Sequence, residues 1–102
     1  MLQVNVSKEG SKAVLALSGR FNFEAHRTFR DAYTPVLGEA GVTSLVLDFR
    51  GVDYMDSSAL GMLLMLRERL GGTNKTMSLT HCTGTVKDVL NVANFGKIFK
   101  IE

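Results

Sequence analysis

The chain has 102 residues, of which 45% are hydrophobic and 22% are charged, and twelve Lys or Arg against ten Asp or Glu give a formal net charge of +2. These values are typical of one globular domain with its own core, and they exclude an intrinsically disordered chain. The basic residues are scattered and do not cluster with aromatic residues, so the composition does not indicate direct binding of nucleic acid.

Two further features limit the class of protein. No apolar run approaches the roughly 20 residues that a membrane span needs, and the first ten residues lack the apolar segment of a signal peptide. The one cysteine, Cys82, cannot form an internal disulfide, which agrees with a reducing compartment. We therefore expect a cytoplasmic protein without membrane insertion.

The first elements are predicted to be a β-hairpin and a helix. Apolar and polar residues alternate from Leu2 to Ser7, and after a turn the apolar run Ala13–Leu17 supplies the partner strand, which Gly19 closes. Apolar residues at helical spacing then predict a helix from about Glu24 to Leu37, with Asn22 as its cap. Pro35 removes a backbone donor, so this helix is expected to stop near Tyr33 or to kink there.

The central part of the chain is predicted to be a strand, a turn and a helix. Ser44–Phe49 is the clearest buried strand, Arg50-Gly51 is the expected turn, and a helix that Asp56 or Ser57 caps runs to Leu70. The expected sheet-facing stripe consists of Leu60, Leu63, Leu64 and Leu70. Met62, Met65 and Leu66 widen the apolar surface, so the helix is either deeply packed or presents a Met-rich surface to a partner.

The last elements complete a regular alternation. We expect a strand at 76–80, a short amphipathic helix at 83–93, and a terminal strand at 97–101 with Ile98 and Phe99 pointing inward. Strands and helices that alternate after an opening hairpin predict an α/β domain, whose sheet is mostly parallel with one antiparallel pair at the start.

Groups that could carry out catalysis are few. His26 lies far in sequence from the His81-Cys82 pair, two potential ligands do not make a zinc site, and the chain lacks a phosphate-binding loop and a nucleophile elbow. Asp53 and Asp56 are explained by turn and cap duties as well as by acid–base chemistry. We expect no enzyme, no cofactor and no metal, since Ser57 as a nucleophile would need an adjacent base.

Ser57 and Ser58 can be read in two ways. Both residues suit the start of a helix, where serine commonly acts as a cap. A serine hydroxyl at an exposed helix N-terminus is also a favourable place for a phosphate, because unpaired N–H groups and the positive end of the helix dipole both attract an anion.

The segment Met55–Gly61, which reads MDSSALG between a strand and an apolar helix, resembles the signature of STAS-domain proteins, the anti-sigma factor antagonists. The element order and the size of the chain match as well, so the resemblance covers residues 1–102. It implies a single STAS-like domain with a mostly parallel sheet of about five strands and three to four helices. Two departures are Ala59, where the family typically has glycine, and Asn22, where it often has an acidic residue.

This resemblance implies a function in the regulation of transcription. The serine directly after the motif aspartate, here Ser57, would be phosphorylated by a serine protein kinase that is also the anti-sigma factor, with Ser58 the less favoured acceptor. The unphosphorylated form would bind this partner, phosphorylation would release it, and a serine phosphatase would restore binding. The expected docking surface consists of Asn22, Asp56, Ser57, Ser58 and Met62. The alternative is a STAS-like structural subunit of a lipid-transport ABC complex, in which the serine only caps the helix.

Overall fold

The computed structural model describes residues 1–101, and Glu102, the last residue of the expected domain, lies outside them. The chain opens with the predicted hairpin, in which β1 (Gln3–Glu9) pairs antiparallel with β2 (Lys12–Phe21). Gly10 has a φ of +63° in the connecting turn, a conformation that glycine adopts without steric cost. The predicted pairing of the first two strands is confirmed.

The remaining helices and strands follow in the expected order. They are α1 (His26–Leu37), β3 (Ser44–Met55), α2 (Ser57–Leu70), β4 (Thr76–Thr80), α3 (Gly84–Val92) and β5 (Lys100–Ile101), with 3-10 turns at Phe23–Ala25 and Phe95–Lys97. The five strands form one sheet in the order β1-β2-β3-β4-β5, and every pair except β1–β2 is parallel. The predicted α/β fold with a mostly parallel five-stranded sheet is confirmed.

This strand order determines where the helices lie. Each parallel connection moves one strand further in the same direction, and because such connections are right-handed, all three helices are expected on one face of the sheet. The burial pattern agrees. Leu15, Leu47 and Leu79 are fully buried on the helix side, whereas Val14 and Val46 on the other face are partly exposed.

Four aromatic rings pack α1 onto the sheet. The ring centroids of Phe21 and Phe29 lie 5.0 Å apart, those of Phe29 and Tyr33 5.2 Å, and those of Phe21 and Phe49 6.2 Å. Contacts of this kind contribute about 0.5–1.5 kcal/mol each beyond the area that they bury. Because Phe21 is the last residue of β2, this cluster fixes the point at which the chain leaves the sheet.

The prediction that α1 stops or kinks near Tyr33 was wrong about the stop, because the helix continues through Pro35 to Leu37. Pro35 cannot donate to the carbonyl of Asp31, but both residues are on the exposed side of the helix, where water can satisfy that carbonyl. One residue earlier, the Thr34 hydroxyl donates to the carbonyl of Arg30 at 2.7 Å.

The prediction of a turn at Arg50-Gly51 was also wrong, since β3 runs through both residues to Met55. The pairing of β3 with β2 shifts register twice in this region, so β3 absorbs extra residues as bulges without leaving the sheet. Gly51 is required at this point, because a Cβ atom there would lie 2.8 Å from the Cβ of Ser18. The glycine therefore marks a close approach of two strands and no turn.

At the C-terminal end, the structure also differs from the predicted strand at 97–101. Residues Phe95–Lys97 form a 3-10 turn, and the N–H of Phe99 donates to the carbonyl of Phe95 at 2.8 Å, so only Lys100–Ile101 joins β4. As predicted, Phe99 is buried. Ile98, predicted to point inward, is 41% exposed.

Candidate functional site

The candidate site lies where β2 and β3 end side by side. The last paired residues are Phe21 and Met55, and the N–H of Asp56 donates to the carbonyl of Phe21 at 3.4 Å. The two segments that leave the sheet here therefore start from adjacent positions. Asn22 lies on one of them, and Asp56, Ser57 and Ser58 lie on the other.

Asp56 is the N-cap of α2, as one of the two sequence-based options held. Its backbone is extended (φ −125°, ψ −176°), its Oδ1 atom accepts a hydrogen bond from the N–H of Ser58 at 3.0 Å, and its carbonyl accepts from the N–H of Ala59 at 3.1 Å. A cap of this type stabilises a helix by about 0.5–2 kcal/mol. It also holds the first turn of α2 in one conformation.

Ser57 is the first residue of α2, and its side chain is exposed. Within residues 1–101 its hydroxyl makes no hydrogen bond, and the helix cap is supplied by Asp56. Ser58 is only partly exposed. Of the two serines, Ser57 is therefore the one with the more exposed side chain.

Asn22 does not act as the predicted side-chain cap. Its backbone carbonyl accepts from the N–H of Ala25 at 3.0 Å and closes the 3-10 turn Phe23–Ala25, while its amide side chain makes no cap hydrogen bond in the part of the chain that is described. A 3-10 turn is tight enough to be closed by the backbone alone. The Asn22 amide, which is partly exposed, is therefore available beside the start of α2.

Phe23, which follows the end of β2, is a residue of the candidate site that the sequence-based prediction missed. Its side chain is 74% exposed, although the neighbouring Phe21 and Ala25 are buried. The signal was present, since Phe23 falls outside the helical spacing that joins Phe21, Ala25 and Phe29 and therefore had to point away from the core. Exposed aromatic side chains of this kind are enriched in the contact regions of protein interfaces.

The expectation that Met62 contributes to a docking surface was wrong, because its side chain is only 5% exposed and packs in the core with Leu66. Leu64, which was expected to face the sheet, is 40% exposed, and Met65 is 43% exposed. Ser57, Gly61, Leu64 and Met65 follow one another at helical spacing on the outer side of α2. On this side of α2, the exposed apolar side chains are thus Leu64 and Met65, about two helical turns beyond Ser57.

Ala59, which replaces the typical glycine of the family signature, is fully buried. Its methyl group is part of the core beneath the first turn of α2. Alanine is also a better helix former than glycine by about 0.8–1.0 kcal/mol, so the departure is compatible with the observed start of the helix.

A second polar cluster lies further back, where β4 ends and α3 packs against β3. The Oδ1 atom of Asp48 accepts from the N–H of Arg50 at 2.9 Å and lies 3.2 Å from Nδ1 of His81, and Nη2 of Arg50 lies 2.8 Å from Nε2 of His81. Since arginine can only donate, Nε2 of His81 is the acceptor in its contact with Arg50. The cluster lies where the β3–β4 pairing stops, at Asp48 and Thr80.

Cys82 lies beside this cluster and is buried. Burial, with a smaller contribution from the negative charge of Asp48, raises the pKa of the Cys82 thiol to about 11. At neutral pH the sulfur therefore carries its proton and is a poor nucleophile. In residues 1–101, no group of three or more His, Cys, Asp or Glu side chains could hold a metal ion, and no helix is long and apolar enough to cross a membrane.

Comparison with known proteins identifies the family. Residues 4–101 match the family model described as "Mlab, STAS domain". A STAS-domain containing protein of Pseudomonas aeruginosa (strain UCBPP-PA14) is 44% identical over 98 residues, which are 94% of this chain and 93% of that protein. The chain belongs to the STAS domain family, as the signature around Ser57 predicted.

Solved structures confirm the fold. The anti-sigma factor antagonist SpoIIAA in its unphosphorylated form superimposes with a TM-score of 0.81 at 20% identity, over 98% of this chain and 88% of that one. An anti-sigma factor antagonist from Mycobacterium paratuberculosis gives a TM-score of 0.87 at 18% identity, over 99% and 85%. The phosphorylated form of the Bacillus protein SpoIIAA gives 0.73 at 19% identity, over 98% and 91%.

Proposed function

We propose that this protein is an anti-sigma factor antagonist that works as a phosphorylation-controlled partner switch. The unphosphorylated form binds an anti-sigma factor that is also a serine protein kinase. Phosphorylation of Ser57 releases this partner, and a serine phosphatase restores binding. The observation that carries the proposal is the exposed Ser57 hydroxyl at the start of a helix that a different residue, Asp56, already caps.

The start of α2 is suited to accept a phosphate. Ser57 is exposed, so the added group does not displace any core side chain. A phosphate brings about −1.5 to −2 charges, and the helix N-terminus attracts an anion by about 0.3–1 kcal/mol. The carboxylate of the neighbouring Asp56 opposes this attraction, so the fold itself should change little in stability. SpoIIAA, which shares this fold, is known in unphosphorylated and phosphorylated forms, which supports the same tolerance here.

The effect of the phosphate would then be felt at the interface with the partner. We place that interface on Asn22, Phe23, Ser57 and the exposed Leu64 and Met65, with Ser58 and Asp56 at its base. An unpaired charge that becomes buried between two proteins costs about 2–5 kcal/mol, and each 1.4 kcal/mol lowers affinity tenfold. Phosphorylation can therefore release a partner without a large conformational change.

Affinity capture from native lysate tests the proposal. Wild type, Ser57→Ala and Ser57→Asp serve as baits, and Ser11→Asp serves as a matched control that adds the same charge to an exposed turn at the opposite end of β2. We expect a protein kinase with anti-sigma activity to be retained by wild type, Ser57→Ala and Ser11→Asp and lost by Ser57→Asp. The intact mass of the endogenous protein should show a phosphorylated pool at Ser57.

The alternative is a STAS-like structural subunit of a lipid-transport ABC complex. Membership of the STAS domain family fits both roles, because the matching family model names no antagonist. If the protein is such a subunit, all four baits capture the same permease and ATPase components, and no phosphate is found on Ser57. That outcome would contradict the partner switch.

A further inference from the structure

The outer edge of β1 is an unusually open part of the sheet. β1 lies at the end of the strand order, so within residues 1–101 only β2 pairs with it. Of its seven residues, six are exposed and Val4 is partly buried. The ladder with β2 is regular along the whole strand, from Gln3 opposite Ser18 to Glu9 opposite Lys12. Along β1, the backbone N–H and C=O groups of every second residue point away from β2 and are therefore open to another strand.

Natural edge strands are usually protected, and β1 lacks most of the protections. It contains no proline, and its ladder with β2 has no bulge; at seven residues it is also longer than an average strand of about 5–6. Its one lysine, Lys8, pairs with the carboxylate of Glu39, so its charge is directed back toward the protein. At the middle of the strand lies Val6, an apolar side chain that is 41% exposed.

We propose that a second copy of this chain pairs with β1, so that two sheets join edge to edge across a two-fold axis at Val6. Two identical strands related by such an axis run antiparallel, and Val6 is the midpoint of Gln3–Glu9. This is the register in which all seven residues are paired.

The side chains of β1 are compatible with that register. Val6 meets Val6 of the partner subunit, which covers an exposed apolar side chain on each copy. Asn5 lies opposite the partner's Ser7, and both are uncharged. Lys8 meets the partner's Val4, so no like charges oppose each other. A register centred on Lys8 would place two lysines face to face and would pair fewer residues.

The proposed contact along β1 and the Ser57 hydroxyl belong to different elements. β1 is separated from β3 by β2, and Ser57 lies beyond the end of β3. The proposal is independent of the partner switch, since its test needs only the purified chain. Sedimentation equilibrium over a range of protein concentrations measures the mass of wild type, Val6→Lys and Val6→Asp, with Val92→Lys as the control at another exposed valine.

We expect wild type and Val92→Lys to reach twice the mass of the chain as concentration rises. Val6→Lys and Val6→Asp should each remain monomeric, because like charges then face each other at the two-fold axis. An equimolar mixture of the two variants should regain the dimer, since lysine then opposes aspartate. Far-UV circular dichroism checks that both variants fold. A monomeric wild type, a dimer that both Val6 variants preserve, or a mixture that stays monomeric would overturn the proposal.

Discussion

The segments that follow β2 and β3 leave the sheet side by side, and they are stabilised by different hydrogen bonds. After β3, the Asp56 side chain accepts from the N–H of Ser58 and caps α2. After β2, the Asn22 side chain caps nothing in the described residues, and a backbone hydrogen bond closes the 3-10 turn. The segment after β3 is therefore held by the side chain of Asp56. The segment after β2 is closed by its backbone, so the side chains of Asn22 and Phe23 are available for other contacts.

This difference suggests a division of work at the proposed interface. A kinase must find the same hydroxyl in the same place each time, and the capped turn holds Ser57 in that way. A partner that binds and is released repeatedly needs side chains that are already exposed in the free protein. Phe23, which is 74% exposed, is such a side chain. The Asp56 segment would position the switch, and the Asn22 segment would supply the contact.

The largest expected effect is the loss of partner binding in Phe23→Ala. If the exposed ring is an anchor of the interface, its truncation costs about 2 kcal/mol or more, which is roughly thirtyfold in Kd. The unfolding midpoint should change little, because the ring contributes little to the core. Isothermal titration with the captured partner measures Kd, and Val92→Ala, at a valine that is 85% exposed, is the control. Equal affinities for the two variants would show that Phe23 lies outside the interface.

The second effect concerns the stability of the capped segment. Asp56→Ala leaves the N–H of Ser58 without its partner and should lower the free energy of unfolding by about 1 kcal/mol, within the range of 0.5–2 kcal/mol for such caps. Urea unfolding followed by circular dichroism measures this change. Asp56→Asn is the matched control, since asparagine caps equally well and should retain most of the stability. A variant Asp56→Ala as stable as wild type would mean that the cap does not hold the turn.

The sequence narrowed the cap of α2 to Asp56 or Ser57 but could not assign the inner face of the helix. Aspartate before an apolar helix is a strong signal, because few residue types can accept from an exposed first turn. From Leu60 to Leu66, in contrast, every residue except Gly61 is apolar. A helix that is apolar on all sides has no periodicity that identifies the buried face, so Met62 was expected outside and Leu64 inside, and both positions were wrong.

The length of β3 could not be predicted for a related reason. A glycine after a buried strand is more often part of a turn, and only the approach of Ser18 from β2 shows that Gly51 serves close packing. That contact joins residues far apart in sequence. The mostly parallel pairing, in contrast, was predictable, because strands and helices alternate after the opening hairpin.

The smallest expected effect is that of Asn22→Ala on stability. Because the Asn22 carbonyl, and not its side chain, accepts from the N–H of Ala25, removal of the amide leaves the 3-10 turn closed. The free energy of unfolding should stay within about 0.5 kcal/mol of wild type, as for an ordinary surface substitution. The same urea titration that reports on Asp56→Ala measures this difference, so the two segments are compared under identical conditions.

If Asn22→Ala lowered the free energy of unfolding as much as Asp56→Ala, the Asn22 amide would stabilise its turn. The two segments would then not differ in the way proposed. If stability is unchanged and the Kd for the captured partner rises, the Asn22 side chain acts at the interface, next to Phe23. Asn22→Asp then separates the effect of side-chain shape from that of charge, since it keeps the size of the side chain and adds a carboxylate. A gain in the rate of Ser57 phosphorylation in Asn22→Asp would assign that acid to the encounter with the kinase.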